Sequence, residues 1–191
     1  HDTTAASMNF TCFLIASNPD VQAKVHAELD RVFGNDSTRP CSKQDLDELE
    51  YLECVIKESL RLLPSVPFIA REVQQDFTYR NYQLLKGTTA VIFIYFIHRD
   101  PEQFPNPDQF DPDRFLPENS QNRLPYAYVP FSAGSRNCIG QRFALLEEKI
   151  VLSSILRRFR LKTRQTIDDL HLSFEVILRA NCGALIELEK R

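Results

Sequence analysis

FSAGSRNCIG, residues 131–140, sets a single cysteine, Cys138, two residues after Arg136 and between Gly134 and Gly140, just ahead of a helical pattern running from Gln141 to Phe159. This spacing places the sulfur one residue into a helix N-terminus, where unpaired N–H groups and the positive dipole end favour a thiolate, and Arg136 adds a charge. A free thiol titrates at about 8.5, and this one is expected lower. The two glycines remove side chains on either side, which leaves room for something flat or bulky. Three roles fit these ten residues by themselves: a nucleophile, a metal ligand, or a glycine loop with an incidental cysteine. A nucleophile wants a base, and His1, His26, His98 and His171 stand in no dyad motif, so the ligand reading gains.

Outward from this loop, 191 residues with 43% hydrophobic and 14 Phe are enough for one or two domains with a real core. Lys and Arg total 23 against 26 Asp and Glu, a net charge of −3, so no bulk positive field exists to hold nucleic acid. The five cysteines, at 12, 41, 54, 138 and 182, are odd in number and lack zinc-site spacing, which favours free thiols in a reducing compartment. Cys12, Cys41, Cys54 and Cys182 are expected to be small buried hydrophobes. The longest apolar run, AVIFIYFI at 90–97, is far short of the roughly 20 residues that span a bilayer, and no signal peptide is present. The chain opens without Met on HDTTAASMNFTCFLIAS, already in an apolar helical pattern, so a fragment cut in mid-helix is expected.

Along the chain, Asn18 is expected to cap a helix with Pro19 at its first position, Val21, Val25, Leu29 and Val32 on its inner face and Gly34 as its stop. A second helix starts at Ser42, with Asp45 in its first turn, runs through Leu46, Leu49, Leu52, Ile56, Leu60 and Leu63, and ends at Pro64 and Pro67. Residues 68–97 read as short strands, FIAREV, DFTY and TTAVIFIYFI, with Gly87 in the turn before the last. Seven of the 11 prolines fall within residues 101–130, an irregular coil whose Phe104, Phe110, Phe115, Tyr126 and Tyr128 imply packing. The third helix, Gln141 to Phe159, offers Phe143, Leu146, Ile150, Ile155 and Phe159 to a core. HLSFEVILR and ALIELE then read as a hairpin around Asn181, Cys182 and Gly183. The class is mainly α with small β-sheets, α+β.

Two further groups carry chemistry. Glu58 and Arg61 lie three apart on one helical face and can pair, with Arg114 in the coil as a natural third member. Asp2, Thr3 and Thr4 join an acid to two hydroxyls that can pass protons.

Taken together, HDTT at 1–4, ESLR at 58–61, FDPDRF at 110–115 and FSAGSRNCIG at 131–140 resemble, in order, the cytochrome P-450 haem-thiolate family, over essentially the whole chain. The resemblance implies the C-terminal part, residues 1–191, of a single such domain, with the anchor and early helices outside it. It implies haem b with Cys138 as its proximal ligand, the general case of thiolate-bound haem iron. It further implies Phe131 packed beside the ligand loop, Gly134 and Gly140 letting that loop approach the porphyrin, and Arg136 and Arg71 on the haem propionates. Glu58, Arg61 and Arg114 would be the buried network that holds the coil. Thr3 would assist the oxygen chemistry on the opposite face, with Asp2 as its acidic neighbour. Val66, Phe68, Ile69, Val176, Ile177 and Leu178 would line a pocket for a lipophilic substrate.

The implied activity is monooxygenation, with dioxygen as co-substrate and electrons from an NADPH-dependent reductase, at the cytosolic face of the endoplasmic reticulum membrane and with no nucleic acid partner. Arg142, Lys149, Arg157 and Arg158 either dock that reductase or form a solvated face. HDTT with FSAGSRNCIG is most similar to the family's fourth class, of fatty-acid ω-hydroxylases and insect enzymes. Two departures stand out: Asp113 in place of the usual Glu before Arg114, and Leu85 where many members carry proline. A haem-thiolate isomerase or dehydratase needing neither oxygen nor reductase, and a non-catalytic haem-binding or truncated product, remain alternatives.

Overall fold

The computed structural model describes residues 1–34, 36 and 38–191. Four helices open the chain: α1 (Asp2–Ser17), α2 (Pro19–Phe33), α3 (Lys43–Glu48) and α4 (Glu50–Leu62). α1 lies at the centre, against α2, α4 and a later helix, and buries Phe10, Phe13, Leu14 and Ile15.

Only one residue separates α1 from α2, and that changes the expected cap. Asn18 Nδ2 donates back to the Leu14 carbonyl at 2.7 Å and makes no side-chain bond to α2. The last carbonyls of α1 need partners, whereas Pro19 at the start of α2 has no N–H to satisfy. Gly34 ends α2 as expected, at φ 60°.

The long second helix is in fact two, broken at Leu49. Ser42 and Asp45 form a reciprocal capping box, and Arg39 pairs with Asp45 at 2.7 Å, which holds that carboxyl well below the usual range. α4 needs a cap of its own, and α2 supplies it: Glu28 accepts the N–H groups of Tyr51 and Leu52 at 2.6 and 2.9 Å. An anion at a helix N-terminus meets both orphan donors and the dipole.

After Pro64 come β1 (Ile69–Glu72), β2 (Phe77–Tyr79), β3 (Tyr82–Leu84), β4 (Thr89–Ile92) and a short helix, α5 (Ile94–Ile97). β1 pairs with β4 antiparallel, Ile69 opposite Ile92, and β2 with β3. The apolar run 88–97 is therefore strand only to Ile92; Tyr95 N–H then donates to the Pro67 carbonyl and the chain turns helical.

The proline-rich coil is packed, with a 3-10 turn at Pro112–Phe115 and a short helix, α6 (Pro117–Ser120). Phe104 and Phe115 bury against Cys54 and Ala127, and the Arg123 guanidinium stacks over both rings. Tyr126, by contrast, is exposed.

α7 (Gln141–Leu156) stops short of Phe159, which opens β5 (Phe159–Lys162). Its buried face also differs from the expected one. Leu152, Ser153 and Leu156 go inward with Glu148 and Lys149, while Phe143, Leu146 and Ile150 are exposed. Lys149 can be buried because Glu53 pairs with it at 2.6 Å and the Leu46 carbonyl accepts its proton at 3.0 Å.

The last three strands are β6 (Leu172–Phe174), β7 (Leu178–Ala180) and β8 (Glu187–Lys190). The hairpin is β6 with β7, one strand earlier than the sequence suggests, and β8 crosses to β5, Phe159 opposite Lys190. Cys182, in the connection from β7 to β8, is exposed rather than buried, and Cys12 and Cys41 are only half-buried.

Candidate functional site

The loop 131–140 is held by its own backbone. Cys138 N–H donates to the Phe131 carbonyl at 2.9 Å, and a 3-10 turn at Gly134–Arg136 closes with Asn137 N–H on the Gly134 carbonyl at 3.1 Å. Gly134 has φ +79°, which only glycine adopts without strain. Its value is thus conformational, since a Cβ there would meet nothing within 4 Å. α7 begins at Gln141 with Gly140 as its cap, so Cys138 stands three residues ahead of the helix and not inside its first turn.

Cys138 is exposed and opens on a cavity of about 580 Å³. Thr3, Thr4 and Ser7 of α1 form one wall, and Val66, Ile69 and Ile94 another. Phe131, Arg136 and Gly140 of the loop continue it, and Phe143, Ala144, Glu147 and Glu148 of α7 complete it. Arg71 of β1 reaches the same cavity and donates to Ser132 Oγ at 2.8 Å, which ties the sheet to the loop.

The structure therefore gathers Cys138, Arg136, Arg71, Phe131, Gly140, Thr3, Val66 and Ile69 around one space. It does not bring Asp2, Phe68, Val176, Ile177 or Leu178 there. Asp2 contacts His1 at 3.0 Å and, with Ile177 and Leu178, borders a different cavity of about 530 Å³. Helical geometry is the reason: at about 100° per residue, Thr3, Thr4 and Ser7 span one side of α1, and Asp2 lies a further step round, away from the centre of that side. Phe68 packs on Phe93 with ring centres 5.9 Å apart, and Val176 is exposed.

Behind the cavity, Glu58 and Arg61 are fully buried and joined by two hydrogen bonds, at 2.7 and 2.8 Å. Arg114 Nε stands 3.5 Å from the same carboxylate. Arg61 then donates to the main-chain carbonyls of His98, Pro107 and Gln109 at 2.9, 2.7 and 3.1 Å, while Glu58 accepts the Asp111 N–H at 2.9 Å. Burial pushes the Glu58 carboxyl up, and Arg61 opposes it. α4 is thus pinned to the coil that leads into the ligand loop.

His98 belongs to this contact as well. Its Nε2 accepts the Val129 N–H at 2.9 Å, and its ring stacks on Tyr128. Burial lowers its pKa from 6.5 to about 3. The unfolded chain then binds this proton below pH 6.5 and the native one does not, so stability present at neutral pH is lost as pH falls from 6.5 towards 3. About 2 kcal/mol is expected to go between pH 7 and pH 5. His98→Gln should flatten that slope in thermal unfolding of the full-length protein; an unaltered slope would refute the assignment.

Sequence reasoning missed Ser7 and Glu148. The signal was the four-residue step from Glu148 to Leu152, which puts the carboxylate on the buried side of α7. It also overestimated the free charge on α7 and just beyond it, since Lys149 is paired inside and the buried Arg157 donates to the Arg39 carbonyl and lies over the Phe33 ring. Among the described residues no cluster of three His, Cys, Asp or Glu side chains stands ready to hold a metal ion by itself. A lone soft sulfur facing an apolar cavity with arginines on its walls suits a flat apolar group that brings its own metal and carries anionic ends.

Comparison with known proteins agrees. The family model for cytochrome P-450 matches residues 1–184. The chain is 57% identical over 191 residues to human (Homo sapiens) cytochrome P-450 4V2, covering 100% of this chain and 36% of that protein. It is 48% identical over the same length to cytochrome P-450 4c3 of Drosophila melanogaster, again covering 36% of the relative, and 49% identical over 177 residues, 93% of this chain and 35% of the relative, to cytochrome P-450 4c21 of Blattella germanica. The chain thus spans about a third of the length of the relatives it matches.

Proposed function

Because the chain belongs to the cytochrome P-450 family, we propose that it supplies the ligand loop and one wall of the active site of a haem-thiolate monooxygenase acting on a lipophilic substrate. The observation that carries this reading is the Cys138 sulfur, exposed to an apolar cavity that Arg71 and Arg136 also line. The residues present fit haem b. Cys138 would bind its iron, and the group so held activates dioxygen for insertion of one oxygen atom into a C–H bond.

The chain's own residues supply the remaining tasks. Arg71 and Arg136 offer guanidinium groups to carboxylates that enter a largely apolar space, where such charges need partners. Phe131 packs beside the loop, and Gly134 permits its turn. Val66 and Ile69 present an apolar surface to substrate and exclude water. Thr3 Oγ1 holds a proton at the cavity wall. Residues 1–191 are read as the C-terminal part of one domain.

The substrate C–H, dioxygen, a proton and NADPH give alcohol, water and NADP⁺, with the electrons passing through a reductase. The full-length protein is assigned to the cytosolic face of the endoplasmic reticulum membrane, although no described helix is long and apolar enough to cross one. Incubating the full-length protein with reductase, NADPH, a fatty acid and isotopically labelled dioxygen should place one labelled atom in the product and one in water. Turnover that persists without NADPH would replace this reading with an isomerase or dehydratase.

A further inference from the structure

Glu148, on the inner face of α7, is almost fully buried, yet its Oε2 has no hydrogen-bond partner among the described residues. Across from it on α1 stands Ser7, equally buried and near enough to oppose the upward shift of its carboxyl, yet the Ser7 Oγ also lacks a well-formed hydrogen bond among the described residues. Buried polar atoms are nearly always hydrogen-bonded, so two orphans meeting at one helix interface call for a reason. Both residues line the cavity of Cys138, together with Thr3 and Thr4. Thr4 and Thr3 lie three and four residues before Ser7, which places all three hydroxyls on one side of α1. The adjacent Lys149 shows the contrast, because its buried charge is answered by Glu53.

We propose that Glu148 and Ser7 form an internal proton store on the cavity wall, from which a proton passes through the Ser7 hydroxyl to the Thr3–Thr4 end of α1. The proposal rests on the monooxygenase reading, in which dioxygen reduced by electrons from the reductase takes up protons. In the transfer the Glu148 O–H bond breaks, Ser7 Oγ takes that proton and its own hydroxyl proton leaves towards Thr3 and Thr4. The carboxylate is then recharged from water on the half-buried Glu147 side.

Burial, reinforced by Glu147 and opposed by Ser7, pushes the Glu148 carboxyl up to about 7, so it holds a proton over part of the neutral range. Three other titratable groups face it. Cys12 on α1 is pushed to about 11, chiefly by burial and also by Glu148. Tyr128 of the coil is raised well above its ordinary value by burial, then by Glu58 and Glu148. Glu147 lies on its own helix. The first two are neutral at pH 7, so neither offers Glu148 a counter-charge. Arg71, Arg136 and His1 line other walls of the cavity.

Infrared difference titration of the full-length haem-bound protein, from about pH 5 to about pH 9, tests the store. A protonated-carboxyl band should vanish with a midpoint near 7 in the wild type, be absent in Glu148→Gln, and persist at a shifted frequency in Ser7→Ala. Its absence from the wild type, or its survival in Glu148→Gln, would overturn the proposal. Both variants should also lower product formed per NADPH oxidised about tenfold, a modest proton-transfer effect, with the substrate-binding spectrum unchanged. Unaltered coupling in both would overturn the relay. Failure of the monooxygenase reading shows separately, as no NADPH-dependent product from the wild type whatever the infrared titration gives.

Discussion

Replacing Cys138 with Ser in the full-length protein should abolish the thiolate-type spectrum of the reduced carbon monoxide complex and lower turnover by more than about 100-fold. Even groups that only orient a ligand cost about 10–100-fold when removed, so loss of the ligating atom is expected to exceed that. Serine keeps the size and the backbone, including the N–H bond to Phe131, so the loop should persist while the soft anionic donor is lost. Cys182→Ser is the matched control: that thiol is exposed too but does not line the cavity, and its replacement should leave the spectrum intact. A Cys138→Ser protein with an unaltered thiolate spectrum would remove the basis of the functional reading.

The second large effect is expected at Arg61. Arg61→Ala leaves Glu58 as a buried charge without its closest partner, with Arg114 Nε 3.5 Å away, and breaking such a pair costs about 3–5 kcal/mol. Replacing both partners with leucine is a sharper test. In many proteins that exchange is neutral or better, because the charges vanish together. Here the carbonyls of His98, Pro107 and Gln109 would still lose their donor, and the Asp111 N–H its acceptor. Each unmet group costs about 1–3 kcal/mol, so the double variant should also be strongly destabilised. Thermal unfolding of the full-length protein decides it; a double variant as stable as wild type would show that the ion pair, and not the coil's carbonyls, is what Arg61 serves. Arg61→Lys should recover only part of the loss, since an ammonium lacks the planar fork that reaches several acceptors.

The readable parts of this fold were those set by neighbours in sequence. The helix start at Ser42 with Asp45 in its first turn, the stop at Gly34 and the packed proline coil all follow from residues close together, whereas Arg71, Arg136 and Phe131 were tied to Cys138 only through the family resemblance. The errors lie where a distant partner decides. Nothing between Ser42 and Leu63 announces a break at Leu49; what permits a new helix start there is Glu28, from another helix. α7 turns Lys149 inward because α4 offers it the Glu53 carboxylate. β8 prefers β5 to a local hairpin, and Asp2 parts from Thr3 because one residue of helix swings its side chain to a different wall.

Arg61 addresses peptide carbonyls, not side chains, at three positions of the downstream segment. The bonds it makes are therefore indifferent to which amino acids occupy 107 and 109, provided the path of the main chain is kept. Saturation mutagenesis across residues 105–109 should find broad tolerance, while position 61 accepts almost nothing. A clamp of this kind leaves the surface around it open to change without redesign of the frame beneath.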